Sequence, residues 1–94
     1  MERIRRVLDS LEVPRKHKGY EQIVLGVDYM LQCDIYDYPP RLKDVIGAIA
    51  AETGDKYKSI AANIERGAKD CGYYEGARDF LLKVVRIVLM EGKV

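Results

Sequence analysis

The sequence predicts an all-α fold, a compact bundle of about five helices containing a helix-turn-helix whose turn lies near Gly54-Asp55. Apolar residues recur at helical rather than alternating spacing through most of the chain. Glycine and proline interrupt that spacing in only a few places, at Pro14 to Gly19, at Pro39-Pro40, at Gly54 and before Ala77. Ninety-four residues, 48% hydrophobic and 33% charged, suit one globular domain over 1–94 rather than a disordered chain.

Ile4, Val7, Leu8 and Leu11 follow the i, i+3, i+4, i+7 pattern of an amphipathic first helix, which Pro14 stops. The basic run Arg15-Lys16-His17-Lys18 and Gly19 then form a connector. A second helix is expected from about Tyr20 to Gln32, where Ile23, Val24, Val27, Met30 and Leu31 make a broad apolar face central to the core. The segment 34–40, with two prolines and two tyrosines, breaks it. Pro40 suits the first turn of a third helix, whose Leu42, Val45, Ile46 and Ile49 face inward.

Gly54 ends that helix where positive φ is wanted, and Asp55 can serve as N-cap of a fourth, from about Lys56 to Cys71. The helix-turn-helix therefore spans about 41–71. Its second helix should bury Tyr57, Ile60, Ala61, Ile64, Ala68 and Cys71. Against a general helix-turn-helix template, Ala50 takes the small-residue site and Ile49 and Ile60 flank the turn. Asn63 and Asp55 fall where the template has apolar residues. A C-terminal apolar helix follows, over about 76–91. Its Phe80, Leu81, Val84, Val85, Ile87, Val88 and Leu89 cover more than one narrow face, which suits either packing into the core or homodimerisation with Lys83 and Arg86 on the rim.

Several function classes are excluded as expectations. Cys33, Cys71 and the single His17 lack metal-ligand spacing, so no metal is expected. Gly-rich phosphate loops, GxSxG and HExxH are absent, and neither an enzyme nor a cofactor is implied. The N-terminus has no apolar h-region, and the longest apolar stretch, Phe80 to Met90, is about half a membrane span and carries two cations. A soluble cytoplasmic protein without a membrane partner is expected.

Charge is distributed unevenly although the net is only +1. Residues 1–18 hold six basic side chains against three acids, for +3, and residues 20–54 hold two against six, for −4. On the fourth helix the face opposite the apolar stripe carries Ser59, Ala62, Asn63, Arg66 and Lys69 or Asp70, with Lys56 and Lys58 in the first turn. Ser59, Asn63 and Arg66 are of the kind that bond base edges, the lysines can neutralise phosphates, and small Ala62 permits close approach. The candidate DNA-binding residues are thus Lys56, Lys58, Ser59, Asn63, Arg66 and Lys69, with Arg15, Lys16 and Lys18 as candidate phosphate contacts. A solvated outer face of mixed sign has the same composition.

The stretch Leu8 to Tyr20, LDSLEVPRKHKGY, followed by an amphipathic helix, resembles the opening of the C-terminal DNA-binding domain of the sporulation-initiation response regulators. Val13-Pro14 and Lys18-Gly19-Tyr20 match that family's pattern, and Glu12 stands where the family has glycine. The resemblance covers roughly residues 5–71. It implies an all-helical bacterial transcription factor that reads short DNA boxes with its helix-turn-helix. Without gaps, the family's Ser-Arg-Val-Glu-Arg core falls on Lys58 to Ala62; with a four-residue insertion near the turn, Ile64-Glu65-Arg66 matches Val-Glu-Arg instead. Both registers remain open. Family members carry a receiver domain, for which this chain leaves no room, so phosphorylation control is not expected. The apolar C-terminal helix also replaces the longer tail of the family.

Two functions follow as alternatives. One is a sequence-specific transcriptional regulator bound to double-stranded DNA, alone or as a homodimer. The other is a protein-interaction module that keeps the helix-turn-helix scaffold without DNA reading and pairs with a full-length regulator. An electrostatic criterion separates them: the basic 15–18 turn beside Ser59, Asn63 and Arg66 favours DNA, whereas Asp37, Asp44 or Asp70 around that face favours interaction.

Overall fold

In a computed structural model describing residues 1–91, the chain folds into five helices and, among the described residues, no strand. They are α1 (Glu2–Ser10), α2 (Tyr20–Leu31), α3 (Leu42–Thr53), α4 (Tyr57–Asp70) and α5 (Ala77–Glu91). The radius of gyration of 12.1 Å is that of a single packed globule, about 12 to 13 Å being usual for this length.

α2 is the central strut. It packs on α1, α3, α4 and α5, while α5 closes the other side against α1 and α4. This follows from its sequence, since Tyr20, Ile23, Val24, Val27 and Met30 are all essentially without solvent exposure. Around them lie Ile4, Val7 and Leu8 of α1, Val45, Ile46 and Ile49 of α3, Ile60 and Ile64 of α4, and Phe80, Leu81, Val84 and Val85 of α5, in one continuous core. The apolar excess of α5 is absorbed here, because Leu82 and Val88 are buried too, Ile87 and Leu89 are half-buried, and Met90 alone of its large apolar residues is exposed. Packing into the core thus accounts for the face that homodimerisation would have used.

The helix ends carry the turn geometry. α3 stops at Gly54, whose φ of 76° lets its N–H reach the Ala50 carbonyl at 2.8 Å, and nothing lies near enough to crowd a side chain there. The demand for glycine is therefore one of backbone conformation. α1 and α4 end in a fuller version of the same cap. After α4, Gly72 (φ 84°) bonds Lys69 and Tyr73 bonds Ala68; after α1, Glu12 bonds Asp9 and Val13 bonds Leu8 in the same pattern. In the latter the left-handed position belongs to Glu12, at φ 65°.

Four sequence expectations are corrected. Asp55 does not cap α4: Lys56 holds the N-cap position without a side-chain bond, and the Asp55 carboxylate is taken by Gln22. Pro40 lies outside α3, buried before the N-cap Arg41, and its carbonyl accepts a hydrogen bond from Arg78 at the start of α5. Tyr57 is 46% exposed rather than part of the buried stripe, because as the first residue of α4 it lies a turn outside the core that Ile60 enters. Ala61 and Cys71, expected in the same stripe, lie at its edge and are only half-buried.

Candidate nucleic-acid interface

α3 and α4 are joined by three residues, Gly54 to Lys56, so the start of α4 is fixed against the end of α3. Burial of Ile60, Ile64 and Ala68 sets the rotation of α4. Lys56, Lys58, Ser59, Ala62, Arg66 and Lys69 are consequently exposed, as expected, and Asn63 sits at the boundary, half-buried.

The basic connector reaches this face. Gly19 lies so close under α4 that a Cβ there would stand 2.7 Å from the backbone oxygen of Asn63 and 3.0 Å from its carbonyl carbon, inside any tolerable contact. Only glycine permits that approach. His17 completes the clamp: its Nδ1 accepts the Gly19 N–H at 2.9 Å, and its Nε2 lies 3.3 Å from Asp70 Oδ2. The result is a shallow depression of about 420 Å³ lined by Lys18, Lys58, Ser59, Ala62, Asn63 and Arg66. A second, of about 360 Å³, lies along the helix between Ala62, Glu65, Arg66 and Lys69. Ala62 and Arg66 line both, and no acid lines the first.

The start of α4 departs from the other helices. α1, α2, α3 and α5 each place an acid in the first turn, Glu2, Glu21, Asp44 and Asp79, where the positive end of the helix dipole favours one. α4 has none there and carries Lys56 and Lys58 instead. That arrangement costs the isolated helix stability and suits an anionic partner.

The other expected residues are divided. Arg15 is engaged elsewhere: its guanidinium grips Asp9 at 2.8 and 3.2 Å and lies over the Tyr20 ring at 5.8 Å, so it fastens the connector to α1. Hydrogen bonding from Arg15 holds the Asp9 carboxyl below its ordinary range, and the same contact raises Arg15. Arg5 grips Glu21 in the same two-point way at 2.7 and 2.9 Å, tying α1 to α2 and depressing Glu21. Lys16 is exposed on the connector but does not line the depression. Lys69 is 3.3 Å from Glu65, which offsets part of its charge.

Sequence reasoning passed over Gln22. It is 6% exposed, the one buried polar residue among the described residues, and it bridges two parts of the interface. Its Nε2 donates to Asp55 Oδ2 at 3.0 Å and its Oε1 accepts from Asn63 Nδ2 at 3.1 Å. The signal available was a polar residue one position before the apolar stripe of α2, with Gly26 four residues on permitting close packing.

Comparison with models of known protein families, with curated proteins and with solved structures finds no match to this chain. Among the described residues no cluster of His, Cys, Asp or Glu could hold a metal ion, and no helix is long and apolar enough to cross a membrane.

Proposed function

We propose that the protein binds duplex DNA with α4 in the major groove and acts as a transcriptional regulator of the kind found in the effector domains of sporulation-initiation response regulators. The observation that carries this is the depression in which Lys18 of the connector joins Lys58, Ser59, Asn63 and Arg66 of α4. Of the criterion set by the sequence, the half that favours DNA is supported by Lys18 of the connector beside Ser59, Asn63 and Arg66, while Asp70, 3.3 Å from His17, lies toward the far end of α4 and does not line the depression. Lys18, Lys56 and Lys58 neutralise phosphates in this reading, and Ser59, Asn63 and Arg66 reach base edges.

The resemblance finds support in the roles of its matched residues. Val13 and Tyr20 are 2% and 1% exposed, Gly19 supplies the close approach to α4, and Glu12 adopts a backbone conformation natural to the family's glycine. These residues build the scaffold and do not read bases. Ile60 and Ile64 are both buried, so either register puts an apolar residue inward, and the registers differ in offering Ala62 or Arg66 at the arginine position.

The test is selection of bound sequences from a random duplex pool by the full chain, followed by affinity at two salt concentrations. Three phosphate contacts give a log–log salt slope of about −2.7, hence roughly a 40-fold loss of affinity between 50 and 200 mM salt. Lys18→Ala should reduce the slope by about one unit. Recovery of no motif, with weak binding indifferent to Arg66→Ala, sinks the proposal.

One observation favours the interaction module as a second reading. Tyr36, Tyr38 and Tyr74 are 73%, 82% and 74% exposed, in segments that also carry Asp34, Asp37 and Glu75. Binding to a protein that is abolished by Tyr36→Ala and Tyr38→Ala, with no duplex binding at any salt, would select it.

A further inference from the structure

The bridge through Gln22 has a direction, and the direction determines what Asn63 can offer. A carboxylate only accepts hydrogen bonds, so the Gln22 amide must turn its NH2 toward Asp55, at 3.0 Å. Its carbonyl oxygen is then left facing Asn63, which answers with its own NH2 at 3.1 Å. Each amide in the series is fixed by the one before it. Asn63 therefore keeps two groups for an outside partner: Oδ1, and the second hydrogen of Nδ2. Oδ1 makes no hydrogen bond within the chain, and no fully buried side-chain oxygen among the described residues lacks a partner, so Oδ1 is not sealed from solvent. Asn63 also lines the depression with Lys58, Ser59 and Arg66.

We infer that Asp55 and Gln22 are positioning residues that hold the Asn63 amide in a single orientation, and that Asn63 in this orientation specifies adenine at one position of the bound duplex. This rests on the DNA-binding reading given above. Adenine presents an amino donor at N6 beside an acceptor at N7 in the major groove, and an amide carbonyl with the adjacent N–H matches both at once. That pair uses the N–H cis to Oδ1, so it requires that Gln22 take the other hydrogen of Nδ2. Cytosine offers only the amino donor, thymine and guanine present acceptors where Oδ1 requires a donor, and all three are disfavoured. An unrestrained asparagine could rotate its amide to meet other edges, and the Gln22 bond removes that freedom.

The experiment compares wild type, Asn63→Ala, Asp55→Asn and Gln22→Leu in the same duplex selection. Asp55→Asn is the informative variant, because an exposed carboxamide keeps a hydrogen-bonding partner for Gln22 while ending the requirement that Gln22 donate. The wild type should enrich a motif with one adenine favoured by about tenfold or more over the next base. Asn63→Ala should flatten that position alone. Asp55→Asn should weaken the same preference severalfold, with the rest of the motif, the salt slope and the thermal midpoint unchanged. A merely structural bridge would shift the midpoint and lower affinity at all positions together. In the free protein, slowed hydrogen exchange at the Asn63 side-chain NH2, lost in Gln22→Leu, reports the bond independently of DNA. If a motif is recovered but Asp55→Asn leaves the adenine preference intact, or Asn63→Ala flattens no position, the inference is overturned and DNA binding stands. If no motif is recovered, both fall together.

Discussion

Replacing Glu12 with glycine is expected to stabilise the protein, although the change deletes a side chain and a charge. Glu12 holds the left-handed position of the α1 C-cap at φ 65°, where its Cβ crowds the following carbonyl. Such a conformation costs a residue other than glycine roughly 1 to 2 kcal/mol. Glycine escapes that cost but loses more freedom on folding, by roughly 0.5 to 1 kcal/mol. The balance spans about 0 to 1.5 kcal/mol in favour of glycine, and its central value of about 0.75 kcal/mol raises the thermal midpoint of a domain of this size by about 3 to 6 °C. α4 supplies the control, since its cap has the same two hydrogen bonds and already carries Gly72 at φ 84°. Gly72→Ala should lower the midpoint by a comparable amount. Glu12→Ala, which removes the carboxylate but keeps the Cβ, should stay close to wild type. Thermal unfolding followed by circular dichroism reads all three. If Glu12→Gly leaves the midpoint unchanged or lower while Gly72→Ala behaves as expected, residue 12 is not in the left-handed region.

Three further outcomes are expected. Gly19→Ala should destabilise the fold by about 1 to 3 kcal/mol, as overpacking against a helix backbone does, and should weaken duplex binding more than Lys18→Ala because the whole connector lifts from α4. Urea midpoints and DNA affinity measured on both variants check this, and wild-type values for Gly19→Ala would refute the close approach. Asp9 and Glu21, held below their ordinary values of 3.8 and 4.5 chiefly by hydrogen bonds from Arg15 and Arg5, stabilise the fold above those values. Their contribution is lost as pH falls through the depressed values, so Arg15→Gln or Arg5→Gln should cost stability near neutrality and flatten the acid side of a plot of midpoint against pH. Asn63→Asp should weaken DNA binding at every salt concentration, because a carboxylate in the depression repels phosphate and accepts where Gln22 Oε1 needs a donor.

The helices were legible because burial writes a local period into sequence. Ile4, Val7 and Leu8, or Ile60, Ile64 and Ala68, lie on one face whatever they pack against, and all are buried. The turn at Gly54 was legible for the same reason, since a requirement for positive φ is met within one residue. What failed depended on partners distant in sequence. Asp55 has the chemistry of an N-cap, and only the arrival of Gln22, 33 residues earlier, diverts its carboxylate. Asn63 belonged by spacing to the outward face, yet the nearness of Gly19 and Gln22 turns it partly inward. The docking of the connector on α4 was beyond reach of periodicity. Its trace in sequence is a glycine between Lys18 and Tyr20, and a glycine does not announce whether it serves a turn or a contact.

A net charge of only +1 argues by itself neither for nor against nucleic acid, and the fold shows where the charge lies. A formal charge of +1 counts every carboxylate equally, whereas a ligand at the surface experiences the local field. Around α4 the acids are held in contacts with the protein itself. Glu65 pairs along the helix with Lys69, Asp70 lies 3.3 Å from His17 Nε2, and Asp55 accepts from the neutral amide of Gln22 and keeps its charge. The four other helices each carry an acid in their first turn, and α4 carries none in its own. Lys18, Lys58 and Arg66 then share one depression without an acid in its lining. With a Debye length of about 8 Å at physiological salt, charge on segments beyond the neighbouring turn contributes little to what meets that face. Net charge therefore limits long-range steering, and under the proposed function contact with a phosphate backbone falls to the few cations that Gly19 allows to gather beside α4.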